Sequence, residues 1–378
     1  MVRDNETIKT PFLIDGQGAI SRTLEGEVQL TWNYAKNNNI ILGANFSHDR
    51  ILDDPRPSEI KLSPFRVVEF RNFNDDENSW LLDGDNNDTR TTLGYYGQID
   101  YDPSPYFSLS AGARLDIYSG TELLDQDYTE FNPRAGIVYK APGAGNFKLL
   151  YGKATRVPNG FEALSGVTIL GTPANRPERI QTLQAAWLRN WNRDLRTEFG
   201  GFYSVISNHL ITDANISESL KARGYIGQFV NLGAAVKVKS QGFDGKMTLR
   251  LNKVDAALNL TQIVSTDDGF DSAIAYIPKT MLNANLNVPA DWLNVNLGAN
   301  YRGNFTQPAN DTREPVKAYV LVNVTMLAQP KTSPLEFRLG VRNLFDTKVH
   351  APSSSKDFTQ HFPGRGLEVW GGATYQFK

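Results

Sequence analysis

From Met281 the chain reads Met281-Leu282-Asn283-Ala284-Asn285-Leu286-Asn287-Val288, and from Leu282 onward every even position is apolar and every odd one is asparagine. A period of two is the signature of a strand, because successive side chains leave opposite faces of the backbone. The next segment obeys the same rule: Leu293, Val295, Leu297, Ala299 and Tyr301 alternate with Asn294, Asn296, Gly298, Asn300 and Arg302. So does Leu335, Phe337, Leu339 and Val341 against Glu336, Arg338, Gly340 and Arg342. Upstream, Phe107, Leu109, Ala111, Ala113, Leu115 and Ile117 alternate with Ser108, Ser110, Gly112, Arg114 and Asp116.

About fifteen such segments follow one another, from 23–35 and 39–50 to 334–343 and 365–377, many of them about 10–12 residues long. Tight turns such as Lys36-Asn37-Asn38 and Pro142-Gly143-Ala144-Gly145 join them on one side. Long polar stretches at 51–90, 119–131, 155–178, 208–228, 268–276, 303–316 and 344–364 join them on the other. Short and long connections in alternation describe an up-and-down antiparallel meander.

Alternation alone also fits a soluble sandwich whose polar face meets bulk water. Three features favour a bilayer instead. The segments reach the ~9–11 residues that a tilted strand needs to cross. Their apolar positions mix Ala and Gly with Leu and Val, which suits a lipid-facing surface better than an interlocking core. Aromatics gather near segment ends, as Trp32 with Tyr34, Tyr101 with Tyr106, Tyr139 with Phe147, Trp187 with Trp191, and Tyr375 with Phe377. Such rings sit at the lipid–water boundary. In lipid no backbone polar group goes unpaired, so the strands are expected to form a transmembrane β-barrel. An odd strand count departs from the even number of bacterial single-chain barrels, which points to an incomplete barrel.

Composition narrows the function. The 378 residues carry 39 Lys+Arg against 41 Asp+Glu, so no overall basic footprint for nucleic acid exists. With 0 cysteines there is no disulfide scaffold, thiolate metal site or cysteine nucleophile. No G-x-S-x-G elbow, phosphate loop or HExxH motif occurs, and no enzyme or cofactor is expected. Met1-Val2-Arg3-Asp4-Asn5-Glu6 has no apolar signal region. By the alternation, Arg114, Asp116, Arg134, Lys148, Arg196, Glu198, Arg302, Glu336, Arg338, Arg342 and Glu368 share the wet face.

Several motifs carry a family resemblance. Val341-Arg342-Asn343-Leu344-Phe345-Asp346 and Phe362-Pro363-Gly364-Arg365 resemble the C-terminal pattern of TonB-dependent outer-membrane receptors. Ala154-Thr155-Arg156-Val157-Pro158-Asn159-Gly160-Phe161-Glu162 and Asn175-Arg176-Pro177-Glu178-Arg179 resemble that family's mid-barrel stretches. Phe131-Asn132-Pro133-Arg134, Phe229-Val230-Asn231-Leu232 and Gly242-Phe243-Asp244 are similar to further segments, and all occur in family order. The final strand, with Gly372, Tyr375 and Phe377, looks like the signal read by the barrel-assembly machinery, although Lys378 follows the terminal aromatic. Most of these residues also have plain structural uses in turns and strand entries.

The resemblance implies a barrel of roughly 22 strands closed by an N-terminal plug that engages TonB. It further implies import of a scarce nutrient, commonly a ferric siderophore, across the outer membrane of a Gram-negative bacterium. On this expectation residues 1–22 are the remnant of an extracellular loop and 23–378 the C-terminal barrel portion. A chain without a plug is not expected to import alone; the competing expectation is a passive porin of about sixteen strands. Candidate ligand-contact residues in the long loops are Trp80, Asp83, Asp85, His350 and His361. Asp83-Gly84-Asp85-Asn86-Asn87-Asp88 spaces oxygens like a calcium loop but puts Asp88 at the sixth position and Gly94 at the twelfth. No histidine shows metal-ligand spacing.

Overall fold

The structure is a computed structural model that describes residues 20–377 apart from 53–59, 63–65, 69–86, 121–126, 160–161, 163–168, 171–175, 214–216, 219–220, 222–226, 232–236, 268–271, 274–275, 308–311 and 354–359. One antiparallel sheet dominates it. Its strands, in chain order, are β1 (Ile20–Ala35), β2 (Asn38–Leu52), β3 (Asn87–Ser104), β4 (Phe107–Gly120) and β5 (Tyr128–Ala141). Then come β6 (Gly145–Arg156), β7 (Glu178–Asn190), β8 (Leu195–Ser207), β9 (Lys237–Leu251) and β10 (Val254–Asp267). Last are β11 (Thr280–Pro289), β12 (Leu293–Arg302), β13 (Tyr319–Ala328), β14 (Leu335–Arg342) and β15 (Glu368–Tyr375). Each pairs with its sequence neighbour, so β1 and β15 stand at the two ends of the order.

The turn chemistry explains the short end. Asn37 at φ 61°, Gly143 at 74°, Gly145 at 101° and Asn252 at 54° take the left-handed conformations that tight connections require. The long connections all leave from the opposite end. Where outer-membrane barrels have their loops outside and their turns inside, this sets the orientation.

Register carries one face across the whole sheet. Asp116 faces Glu130 on the neighbouring strand, Val138 faces Lys148, and Lys148 faces Ala186. The same face continues through Leu188–Glu198, Glu198–Lys246, Lys246–Asn259, Asn259–Asn283 and Asn283–Asn300. It ends with Leu327–Arg338 and Arg342–Glu368. All the charged residues expected on the wet face lie on it. The opposite face runs through Leu109–Ile137, Ile137–Leu149, Leu183–Tyr203, Met247–Leu258 and Leu286–Leu297.

Burial rules out the sandwich. Among the described residues the only buried apolar side chains besides Pro158 and Pro177 are Tyr128, Val238 and Val316. Leucines, valines and aromatics of the apolar face stay exposed instead, Leu30, Trp32, Phe199 and Phe243 among them. Such a face needs a solvent of acyl chains.

Aromatic rings mark the boundary at the short-turn end. Phe107, Tyr139, Phe147, Trp187 and Phe199 line up on adjacent strands with centroid separations of 4.7, 6.4, 6.3 and 5.9 Å. The Trp187 indole N–H donates to the Ala144 carbonyl at 2.8 Å, the mixed environment that suits an interfacial tryptophan.

Two strands start four residues earlier than their sequence pattern predicts. β3 begins at Asn87, where the apolar alternation is clear only from Thr91, and pairs with β2 from Leu52–Asn87 onward. Positions five to twelve of the calcium-like loop, Asn87 to Gly94, therefore belong to a ladder and not to an ion-binding turn. β5 begins at Tyr128 because Asn132-Pro133 lies inside a strand and does not open one. Pro133 still faces Ala113 of β4, but the ladder from β5 to β6 stops at Arg134–Gly152. Proline has no N–H to give to a second neighbour, so the seam opens at that residue.

Candidate functional site

Three polar clusters occupy the long-loop end, and sequence motifs reach each of them. At the β5–β6 seam, Glu130 is 2% exposed. Arg179 donates to it from Nε at 2.9 and 3.0 Å and also from Nη2. Lys153 Nζ adds a bond at 3.2 Å and Thr155 Oγ1 one at 3.3 Å. Lys153 also donates to the Phe131 carbonyl at 2.8 Å, replacing the backbone donor that the opened ladder no longer supplies. By strand parity Lys153 and Arg179 sit with the lipid-facing residues, and Glu130 draws both cations into the seam. Sequence reasoning missed Glu130; the signal was Asn132-Pro133 beside an acidic residue.

The second cluster joins the mid-barrel motifs. Arg156 ends β6 and Glu178 opens β7, and they face one another with Nε–Oε2 at 2.5 Å. Arg156 Nη1 donates to Glu162 at 2.7 and 3.0 Å, while Glu162 Oε2 accepts the Asn159 N–H at 2.8 Å. Glu178 Oε1 accepts the Leu210 N–H at 2.7 Å and lies 2.7 Å from His209 Nδ1. Pro177 is fully buried, and its carbonyl accepts from Asn208 Nδ2 at 3.1 Å. The buried Pro158 offers its carbonyl to Arg90 at 3.2 Å, and Arg90 pairs with Asp49 at 3.2 Å. Arg156, Pro158, Pro177 and Glu178 thus clamp two loop bases onto the sheet.

Asn231 pairs with Leu210 through the backbone of a small separate sheet. Gly242 is confined by its surroundings: a Cβ there would lie 2.3 Å from the Gln262 carbonyl and 3.0 Å from the Phe202 ring.

The third cluster is the last loop. Asn343 is 4% exposed and holds φ 51°. Its side chain donates to the Thr347 carbonyl at 2.9 Å and the Arg365 carbonyl at 3.2 Å, and accepts the Thr347 N–H at 2.8 Å. Leu344 N–H donates to the Val322 carbonyl of β13 at 2.8 Å. Asp346, also at φ 51°, accepts the Leu367 N–H at 2.8 Å. Gly364 packs so closely on Val349 that a Cβ would approach it to 2.3 Å. Arg365 and Arg342 both reach Glu368, at 3.5 and 3.2 Å. Phe345 projects from this knot, 71% exposed.

Beyond the knot lies a recess of about 520 Å³ between the loop 303–318 and the last loop. Arg313, Glu314, Lys317, Lys348, His350 and His361 border it. His350 and His361 are thus brought to one place, with His361 8% exposed and its Nδ1 3.3 Å from the Ser353 N–H that donates to it. Trp80, Asp83 and Asp85 lie outside the described residues. Among the described residues no group of three His, Asp or Glu side chains could hold a metal ion. At the other end of the wall, Tyr375 and Phe377 stack edge-on at 4.7 Å, Phe377 90% exposed, with open space around Gly372.

A wall of fifteen antiparallel strands with one apolar and one mostly polar face, short turns at one end and long connections at the other, defines an outer-membrane barrel protein. Residues 5–344 match the family described as TonB dependent receptor-like, beta-barrel, and the chain belongs to that family. It resides in the outer membrane of a Gram-negative bacterium. Among solved structures it resembles the FrpB iron transporter of Neisseria meningitidis at 17% identity and TM-score 0.67, covering 95% of this chain and 55% of that one. The siderophore receptor PirA of Acinetobacter baumannii matches at 15% identity and TM-score 0.70, with 95% and 55% covered. The copper transporter OprC matches at 14% and TM-score 0.71, with 95% and 57% covered. The chain therefore spans a little over half the length of these relatives. No curated protein sequence matches it.

Proposed function

We propose that this chain forms the outer-loop-bearing wall of a receptor-transporter for a scarce metal chelate such as a ferric siderophore. The wall begins at Ile20, where β1 starts, three residues before the expected boundary at 23, and the stretch that precedes β1 belongs to an outer loop. In the complete receptor, TonB supplies the energy through a plug domain held against the charged inner face. The reading rests on one observation above all: the register that gathers most charged and amide side chains of β4 to β15 on a single face, with Lys153, Arg179, Arg189, Lys237 and Lys239 on the other only near strand ends. Facing lipid, each such charge would cost about 2–4 kcal/mol near the midplane, so this face borders water or a polar filling. The motif residues Arg156, Pro158, Pro177, Glu178, Asn343 and Asp346 serve to fix loop bases, and ligand contact falls to the loops they hold. Gly372, Tyr375 and Phe377 serve assembly.

Uptake of radiolabelled ferric siderophores by cells with the encoding gene deleted tests this. Uptake of at least one chelate should fall on deletion and equally on loss of TonB. Unchanged uptake, together with stable uniform conductance steps from the purified protein in planar bilayers, would show a passive porin instead.

A further inference from the structure

We infer that the recess between loops 303–318 and 343–367 is a binding site for a small soluble oxyanion, a carboxylate or phosphate compound. At about 520 Å³ it lies within the size range of small-molecule pockets. Among the described residues its charged lining consists of the cations Arg313, Lys317 and Lys348 against one carboxylate, Glu314. Lys317, Lys348 and His350 are exposed, so their donors are available to a ligand arriving from outside. None of the three is joined by an ion pair to a described acid, unlike Arg342 and Arg365, which share Glu368.

The recess is also built, not incidental. Arg313 Nη2 donates to the Ser353 carbonyl at 2.7 Å, tying one loop to the other across the gap. The Phe305 N–H bonds the Val316 carbonyl at 3.2 Å, and His350–Ala351 pairs with Phe362–Pro363 beneath. Buried Val316 and the Tyr319 ring, stacked on Phe305 at 6.4 Å, give it an apolar side. The floor carries an unspent donor. His361 Nδ1 accepts from Ser353, so the neutral ring holds its proton on Nε2, which is buried and has no partner. A slight turn of that ring toward an entering oxyanion gives Nε2 its first hydrogen bond. Among the described residues no three ligating side chains converge here on a metal ion.

The inference deepens the receptor reading by giving it a ligand class. Its test reads binding and not uptake, so either can fail alone. Citrate titrated calorimetrically into the purified chain in detergent at low salt should bind saturably and weaken as salt rises, while maltose should not bind. The variant K317Q/K348Q should lose at least tenfold in affinity, and H361F a few-fold, with heat-modifiable gel migration unchanged. K331Q, at the short-turn end, should match the parent. If lipopolysaccharide rather than citrate is retained, and K317Q/K348Q releases it, the oxyanion is lipid-borne and the soluble assignment falls. Absence of saturable citrate binding, or a double variant within twofold of the parent, overturns the proposal.

Discussion

Replacing Glu130 with glutamine isolates the charge that holds the β5–β6 seam. The amide keeps the volume and one acceptor, but Arg179 and Lys153 lose their only shared anion. With Glu130 2% exposed, this approaches a buried pair broken on one side, for which about 3–5 kcal/mol is usual. Arg179 retains 39% of its side-chain exposure and recovers some hydration, which lowers the expectation to about 2–3 kcal/mol. The assay is urea unfolding in phospholipid vesicles, read by tryptophan fluorescence. Removing one orphaned cation as well, in E130Q/K153M, should restore about 1 kcal/mol, a coupling that a double-mutant cycle measures directly. For scale, D255N breaks the exposed Arg250–Asp255 pair and should cost less than about 0.5 kcal/mol. A loss below about 0.5 kcal/mol for E130Q, or no recovery in the double variant, would refute the seam argument.

Three further outcomes follow from the geometry. Leu286→Arg places a charge on the apolar face and should destabilise by about 2–4 kcal/mol in vesicles, whereas Asn285→Arg, one residue away, should cost less than about 1. Equal costs would mean the faces are wrongly assigned. Gly242→Ala drives a Cβ into the Gln262 carbonyl and should cost about 1–3 kcal/mol, visible as reduced folding yield into vesicles. Asn343→Ala strains φ 51° and deletes three side-chain bonds, so limited proteolysis should cut within 344–367 well before the parent is cut. Asn343→Gly, which relieves the strain alone, should fall between them.

The fold was legible because a membrane sheet writes itself in the shortest possible period. Each of the fifteen expected strands appears, with boundaries that drift most where periodicity weakens, at Asn87 and at Tyr128. Leu282–Val288 needs no tertiary information to be placed: its asparagines must share a side, and the ladder with Asn294–Arg302 then fixes its neighbour. The clusters were only partly legible. Arg156 and Glu178 stood out as motif residues, but they are separated by twenty-two positions, and their 2.5 Å bond depends on a loop whose path no local pattern encodes. His350 and His361 meet at one recess because the last loop folds back on itself through His350–Ala351 and Phe362–Pro363. Nothing in their spacing announces that return.

Pro133 shows why the seam stayed hidden. Inside a strand, proline is normally confined to edges, because a central strand needs an N–H for each neighbour. Here the strand is central, and the conflict is resolved by opening one ladder above Arg134 while keeping the other to Ala113. The opening leaves the Phe131 carbonyl without a backbone donor, which Lys153 supplies. A lysine drawn toward the seam from the lipid-facing side needs an anion, and so does Arg179 beside it; Glu130 answers both. One residue without a backbone donor thus accounts for a buried carboxylate three positions away. The same logic predicts that Pro133→Ala, which restores the N–H, lets the ladder extend outward and weakens the dependence of the seam on Glu130. E130Q should then cost less in the P133A background than alone, and an undiminished cost would separate the proline from the charge cluster.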